Sequence, residues 1–168
     1  MLHRRTTNFV PFLICLGLLV FAAYLQYHLG LAPCPLCVLQ RLLFACLALI
    51  FFINALYIPL TAVWRRVYDG LIVLFSGLGV AVALRHVWLE FHPLSAGAAC
   101  SPSIQYMLKN LSFNQTLALI LRGSGDCSKV TWQLLNLSIP QWTLIFFGLF
   151  TLYGLLRYFS AKNQERYK

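Results

Sequence analysis

Charged side chains are scarce in this sequence, and acidic ones are nearly missing. Only 10% of the 168 residues are charged, 60% are hydrophobic, and Asp and Glu together number 4. An ordinary soluble domain carries about 25% charged residues, so this chain has too little polar surface to face water on all sides. The scarcity excludes a typical soluble protein and favours a chain that folds in a lipid bilayer.

Positive charge is present, but its distribution indicates membrane topology and not nucleic-acid binding. The formal net charge is +9, yet the basic residues stand in short clusters between apolar runs instead of lining one polar face. We therefore expect no nucleic-acid partner. The length suits one domain, without internal repeats or low-complexity tracts. Residues 1–168 are predicted to form a single membrane domain.

Four apolar runs predict four membrane-spanning helices, at roughly residues 9–29, 42–63, 70–89 and 141–158. About 20 residues of helix cross a bilayer. Backbone groups in lipid must be satisfied internally, so each run should be helical, and the alternation typical of a β-barrel is missing. The predicted fold class is an all-α membrane protein, a bundle of four transmembrane helices.

The Lys and Arg clusters predict that both termini lie on the inner side of the membrane, by the positive-inside rule. The outer loops are then 30–41 and 90–140. Within the longer loop, residues 106–108 and 117–121 are too apolar to be exposed to water and too short to cross the bilayer. Short interfacial helices are therefore expected there. The basic residues assigned to the inner side are Arg4, Arg5, Arg65, Arg66, Arg157, Lys162, Arg166 and Lys168.

Four of the 6 cysteines fall in the predicted outer loops. Cys34 and Cys37 form a C-x-x-C pair just where the second span begins, while Cys100 and Cys127 lie in the long loop. A C-x-x-C pair can close a strained, easily reduced disulfide, and a helix N-terminus lowers the pKa of a thiol placed there. The pattern therefore predicts thiol–disulfide exchange. The two cysteines inside apolar runs are expected to be inert: Cys15 and Cys46.

Two polar residues near the outer side are candidate partners of these cysteines. Arg41 follows Cys37 by four residues and so shares its helical face. Its cation would favour a Cys37 thiolate or an anion beside it, and an arginine at membrane depth usually has a functional partner. The alternative is that Arg41 snorkels to the headgroups. His86 is a polar residue in an apolar stretch, for which a solvated helix end is the alternative.

Two other interpretations of the cysteines remain. A zinc site would need four tetrahedral ligands, which Cys100 and Cys127 could complete; their distance in sequence from the C-x-x-C pair makes us expect no metal. Alternatively, structural disulfides would make the chain a non-catalytic membrane scaffold. Against this, a C-x-x-C bridge closes too small a loop to constrain the unfolded chain much.

The sequence resembles the DsbB family of disulfide-bond formation proteins over almost its whole length. Four spans, a C-x-x-C pair opening the second and a separated cysteine pair in a long outer loop are all shared. Gln40 stands where some members carry an acid. The most specific matching stretches are P-C-P-L-C at 33–37 with Arg41, G-S-G-D-C at 123–127, Trp132, and L-S-I-P-Q-W at 137–142.

The resemblance implies a quinone-dependent oxidase in the bacterial inner membrane that reoxidises a periplasmic DsbA-like protein of thioredoxin fold. In this scheme the partner attacks the Cys100–Cys127 disulfide at Cys100, and the released Cys127 attacks Cys34. Cys37 is freed and, as a thiolate, reacts with the quinone.

Arg41 and His86 are the expected quinone-binding residues, since a His there could donate a hydrogen bond to a quinone carbonyl. The quinone could be ubiquinone or menaquinone. A paralogue that serves one dedicated client thiol oxidase is the alternative within the family.

Overall fold

Four long helices make up the computed structural model of the chain, which describes residues 2–28, 30, 34–57, 61–92, 112, 114–115, 118 and 133–166. The helices are α1 (Leu2–His28), α2 (Pro35–Leu56), α3 (Ala62–Phe91) and α4 (Ile139–Arg166). Each contains a segment long and apolar enough to cross a membrane, which confirms the predicted all-α, four-span bundle. These segments are Thr7–His28, Pro35–Leu56, Val63–Phe91 and Ile139–Ser160.

The second helix begins earlier than the predicted span 42–63, at Pro35, and ends at Leu56. A proline fits the first helical position, because its missing N–H has no partner there in any case. The charge of Arg41 set the predicted boundary, but Arg41 lies within the helix and is accommodated by α1, as described below. Ala62 already belongs to α3.

The outer faces of the helices are apolar and the centre of the bundle is packed with aromatic rings. Val20, Leu42 and Leu156 are each about 60% exposed, as suits side chains that contact lipid. Inside, Phe44 of α2 stacks on Phe147 of α4, with ring centroids 4.0 Å apart. The exposed hydrophobic surface and the buried core therefore occupy opposite sides of the same helices.

Close packing of α4 on α3 depends on a glycine. A Cβ placed on Gly79 would lie 2.3 Å from the ring of Phe147, whereas one placed on Gly77 would meet nothing within 4 Å. Because Phe147 is fully buried and stacked on Phe44, its ring has little room to move. Gly79 thus allows α4 to approach α3 at this level.

A short β-hairpin precedes α4, in a segment predicted only as loop. Its strands are β1 (Gln133–Leu134) and β2 (Leu137–Ser138), paired antiparallel. The two turn residues between them, Leu135 and Asn136, have φ angles of 55° and 62°, as a type I′ turn requires at both central positions. Asn adopts this conformation readily, whereas Leu does so rarely.

The interfacial helices predicted for the long loop fall almost entirely outside the described residues. Residues 106–108 are not described. Of 117–121 only Ala118 is described, and its backbone is helical, as it is at Asn114 and Gln115.

A buried polar cluster joins all four helices at the end of the bundle where α2 ends and α3 begins. Arg157 Nε lies 3.0 Å from Asp69 Oδ1, an ion pair whose carboxylate side chain is 4% exposed. The guanidinium also donates to Asn8 Oδ1 and to the Tyr153 hydroxyl, and Asn8 Nδ2 donates to the Asn54 carbonyl at 3.5 Å. Ionised groups within a membrane are costly unless paired, and this Arg157 cluster pairs them.

We expect Gly79→Ala to destabilise the bundle and Gly77→Ala to do so much less. Both substitutions improve helix propensity by a similar amount, so their difference isolates the contact with Phe147. Overpacking of this kind costs about 1–3 kcal/mol. Thermal unfolding of the two purified variants in the same detergent measures the difference, and equal stability would contradict this account of α3–α4 packing.

Replacing Asp69 with Asn should lower the free energy of unfolding by about 3 kcal/mol, because it leaves the Arg157 charge without its counter-ion. The estimate is at the low end for a buried pair because the Arg157 side chain is 26% exposed. In a double-mutant cycle, Asp69→Asn combined with Arg157→Gln should cost less than the sum of the two single changes. Strict additivity would show that the pair is not coupled.

Candidate redox site at the start of the second helix

Cys34 caps the N-terminus of α2 with its sulfur. Its backbone is extended, with φ −68° and ψ 159°, and its Sγ accepts the backbone N–H of Cys37 at 3.1 Å. A Ser or Asp oxygen usually fills this role. Since the N-terminus of a helix carries partial positive charge, this position favours negative charge on the Cys34 sulfur. Cys34 is buried, while Cys37 is half-buried.

His86 reaches the cysteine pair from α3. Its Nε2 lies 3.7 Å from Cys34 Sγ, and its side chain is only 3% exposed. The sulfurs of Cys34 and Cys37 and a ring nitrogen of His86 all lie within 4.8 Å of one another. The sequence placed His86 near the outer end of its span, and the structure brings it into contact with the C-x-x-C pair.

Two further side chains continue from His86 into the bundle. Gln40 Nε2 lies 3.5 Å from His86 Nδ1, and the Thr143 hydroxyl of α4 lies 3.4 Å from Gln40 Oε1. Gln40 is 3% exposed. In the sequence, Gln40 stood out only as a departure from some family members, and Thr143 did not stand out. A polar residue one turn after Cys37 in an apolar span was a usable signal for Gln40, whereas Thr143 gave none.

The line of hydrogen bonds from Thr143 through Gln40 to His86 is compatible with either neutral tautomer of the imidazole. Thr143 has one hydroxyl proton, and its oxygen is also 2.8 Å from the Pro140 carbonyl. When that proton goes to Gln40 Oε1, the Gln40 amide donates to Nδ1 and Nε2 carries the ring proton. When it goes to Pro140, a turned Gln40 amide donates to Thr143 and accepts from Nδ1, leaving Nε2 as an acceptor.

Arg41 lies just inside α2 and is bound by α1. One terminal nitrogen donates to Gln26 Oε1, and the other donates to the Ala22 carbonyl at 3.0 Å. These two acceptors provide the Arg41 guanidinium with hydrogen-bond partners from within the protein at this depth in the membrane. The expected roles of Arg41 toward a Cys37 thiolate and toward a quinone stay predictions.

Contacts at the start of α4 position Thr143. Ser138 Oγ donates to Glu90 of α3 at 2.8 Å, and the Ser138 backbone N–H is accepted by Gln141 Oε1 at 3.1 Å, half of a capping box. Trp142 Nε1 also donates to a hairpin carbonyl at 3.2 Å. The start of α4 is therefore attached both to the hairpin and to the end of α3 that carries His86.

The two remaining cysteines of the predicted site, Cys100 and Cys127, lie outside the described residues. Their assigned roles stay predictions. Of the six predicted site residues, the structure brings together Cys34, Cys37 and His86, and it places Arg41 one turn further along α2.

Comparison with known proteins identifies the family. Residues 4–156 match the family described as disulfide bond formation protein DsbB. The chain belongs to the DsbB family. A disulfide bond formation protein B of Marinobacter nauticus is 43% identical over 90% of this chain and 92% of its own length. Another from Xanthomonas euvesicatoria pv. vesicatoria is 39% identical over 96% and 94%.

Membership of the DsbB family implies a disulfide oxidoreductase role. The geometry at Cys34 suits that role, because thiol–disulfide exchange proceeds through a thiolate. The helix N-terminus and the Cys37 N–H stabilise that species at Cys34.

Arg41→Lys should destabilise the contact between α1 and α2. A lysine ammonium cannot reproduce the planar fork that donates separately to Gln26 and Ala22, and hydrogen bonds of charged groups contribute about 1.5–3 kcal/mol. Arg65→Lys is the matched control, since the Arg65 Nε has no hydrogen-bond partner among the described residues. Unfolding in detergent should separate the two variants. Equal stability would show that the fork is dispensable.

Proposed function

We propose that this DsbB-family protein is a protein dithiol:quinone oxidoreductase that reoxidises a periplasmic DsbA-like thiol oxidase and passes its electrons to a membrane quinone. The observation that carries the proposal is the Cys34–Cys37 pair at the start of a membrane-spanning helix, with buried His86 3.7 Å from Cys34. This position suits an exchange between water-soluble thiols and a lipid-soluble oxidant.

Electrons enter through the long loop in the proposed route. The partner's thiolate attacks Cys100, which breaks the Cys100–Cys127 bond and forms a mixed disulfide. A second partner thiolate then releases the oxidised partner. Cys127 attacks Cys34, so the Cys34–Cys37 bond breaks, a Cys34–Cys127 bond forms, and Cys37 leaves as a thiolate. Every exchange forms one S–S bond and breaks one, so no electrons are lost.

The quinone is the terminal electron acceptor and takes up two electrons and two protons as it is reduced. The side chains here suit such a substrate: Arg41 and His86 offer N–H groups that could bind its carbonyl oxygens, and Cys37 is the less buried thiol of the pair. Cys100 then attacks Cys127, which re-forms the Cys100–Cys127 bond and releases Cys34. Oxidation of the Cys34–Cys37 dithiol by the quinone re-forms the Cys34–Cys37 bond. His86 can hold a proton beside Cys34. Ubiquinone and menaquinone both fit, because N–H donors recognise the carbonyl oxygens that the two share.

The proposed orientation places the redox site on the periplasmic side of the bacterial inner membrane. The C-terminal ends of α1 and α3 and the N-terminal ends of α2 and α4 meet at that site. Arg65 and Arg66 lie at the opposite end, and the positive-inside rule assigns that end, with both termini, to the cytoplasm.

Cys37→Ser should abolish quinone-dependent oxidation of a reduced DsbA-like substrate, to below about 1% of the wild-type rate, because the pair then lacks a thiolate and cannot re-form its disulfide. Cys46→Ser, in the same helix, is the matched control and should leave the rate unchanged. The measurement is loss of substrate thiols by purified protein supplied with a soluble quinone analogue. Full turnover by Cys37→Ser would refute the proposed function.

A further inference from the structure

We propose that Cys34, Cys37 and His86 form a binding site for a thiophilic divalent cation of the zinc class when the cysteine pair is reduced. The spacing and the chemistry of the three ligand atoms support this site, and cation binding is an activity beyond dithiol:quinone oxidation. Its consequence, that the bound cation stops electron transfer by holding the pair reduced, rests on the proposed function.

The three ligand atoms already have nearly the spacing that zinc requires. With Zn–S of about 2.3 Å and Zn–N of about 2.0–2.1 Å, tetrahedral angles place sulfur and nitrogen about 3.6 Å apart. Cys34 Sγ and His86 Nε2 are 3.7 Å apart, and all three ligand atoms lie within 4.8 Å of one another. Small side-chain adjustments would suffice to bind the cation.

The surroundings of His86 also suit a metal-bound imidazole. A histidine that binds through Nε2 carries its proton on Nδ1 and usually donates it to an oxygen nearby. A turned Gln40 amide would place Oε1 toward Nδ1 and its NH₂ toward the Thr143 oxygen, whose own proton can go to the Pro140 carbonyl at 2.8 Å. Every polar atom in this line then keeps a partner.

Charge explains why the reduced pair would favour a cation and the oxidised pair would not. Two thiolates carry a charge of −2, which a divalent cation cancels, and a neutral complex is far less costly to bury than separate charges. Binding releases two protons: Zn²⁺ + 2 RSH gives Zn(SR)₂ + 2 H⁺. A disulfide has no thiolate to offer, so the Cys34–Cys37 bond and the cation exclude each other.

This site differs from the four-cysteine zinc site considered from the sequence, which required Cys100 and Cys127. Here the third ligand is His86, contributed by a different helix. We expected no metal, and the proposed reaction still requires none. The cation acts as an inhibitor that a chelator reverses.

The test uses the full-length chain carrying Cys100→Ser and Cys127→Ser, so that Cys34 and Cys37 are the only thiols left of the four predicted to react. The protein is reduced, freed of reductant without oxygen, and titrated with Zn²⁺ against a chromophoric chelator. We expect one Zn²⁺ per reduced chain, with release of protons, and none after oxidation of the pair. Titration with Co²⁺ should produce a thiolate-to-metal absorption band.

Matched variants identify the ligands. His86→Ala should weaken Zn²⁺ binding by at least about 10–100-fold, which is the loss seen even for a residue that only orients a metal ligand. His92→Ala should leave Zn²⁺ binding unchanged, because His92 is exposed directly after the end of the same helix and stacks on Trp88. Cys46→Ser should also have no effect.

Equal binding by oxidised and reduced protein would overturn the proposal, and this comparison needs no substitution that could disturb folding. So would equal losses in His86→Ala and His92→Ala. Stoichiometry is measured without quinone, so the two proposals can fail separately. A chain that turns over but binds no Zn²⁺ refutes only the metal site, whereas one that binds Zn²⁺ but never oxidises a dithiol refutes only the proposed function.

Discussion

Polar groups inside a bilayer must find their partners within the protein, and this requirement organises the whole structure. The backbone meets it by forming four helices. Side chains meet it at the two ends of the bundle, where Arg157 pairs with Asp69 and Arg41 donates to α1. The apolar middle contains no such network among the described residues, apart from the Ser76–Thr151 hydroxyl pair.

The redox site depends on packing as much as on polar contacts. Gly79 lets α4 approach α3, and the hairpin attaches the start of α4 to the end of α3. These two contacts place Thr143 beside Gln40, which in turn lies beside His86. A shift of α4 by even one turn, about 5.4 Å, would break the line of hydrogen bonds without touching either cysteine. Residues far from the sulfur atoms therefore control the surroundings of Cys34.

The features that were predictable from the sequence are those that depend on composition and on local residue spacing. Hydrophobic runs located four spans, and the C-x-x-C pair was predicted to lie where the second span begins. The contacts of His86 were not predictable, because nothing in a linear pattern places residue 86 beside residue 34. Arg41 shows the same limit. Its charge marked the predicted start of the second span, yet Arg41 lies inside α2 because α1 provides acceptors for its guanidinium. The hairpin was missed because its turn begins with Leu135, a residue that rarely adopts positive φ.

The surroundings of the two cysteines differ in a way that suits different tasks. Cys34 is buried, accepts the Cys37 N–H and lies beside His86, so negative charge is stabilised on its sulfur. A stabilised thiolate is the better leaving group, whereas a less stabilised one is the stronger nucleophile. Cys37 is more exposed and its sulfur does not cap the helix. Cys34 is thus suited to being released from its bond with Cys127, and Cys37 to donating electrons. The asymmetry arises from the helix start itself, because only the first cysteine of a C-x-x-C pair can cap the helix that the second has already entered.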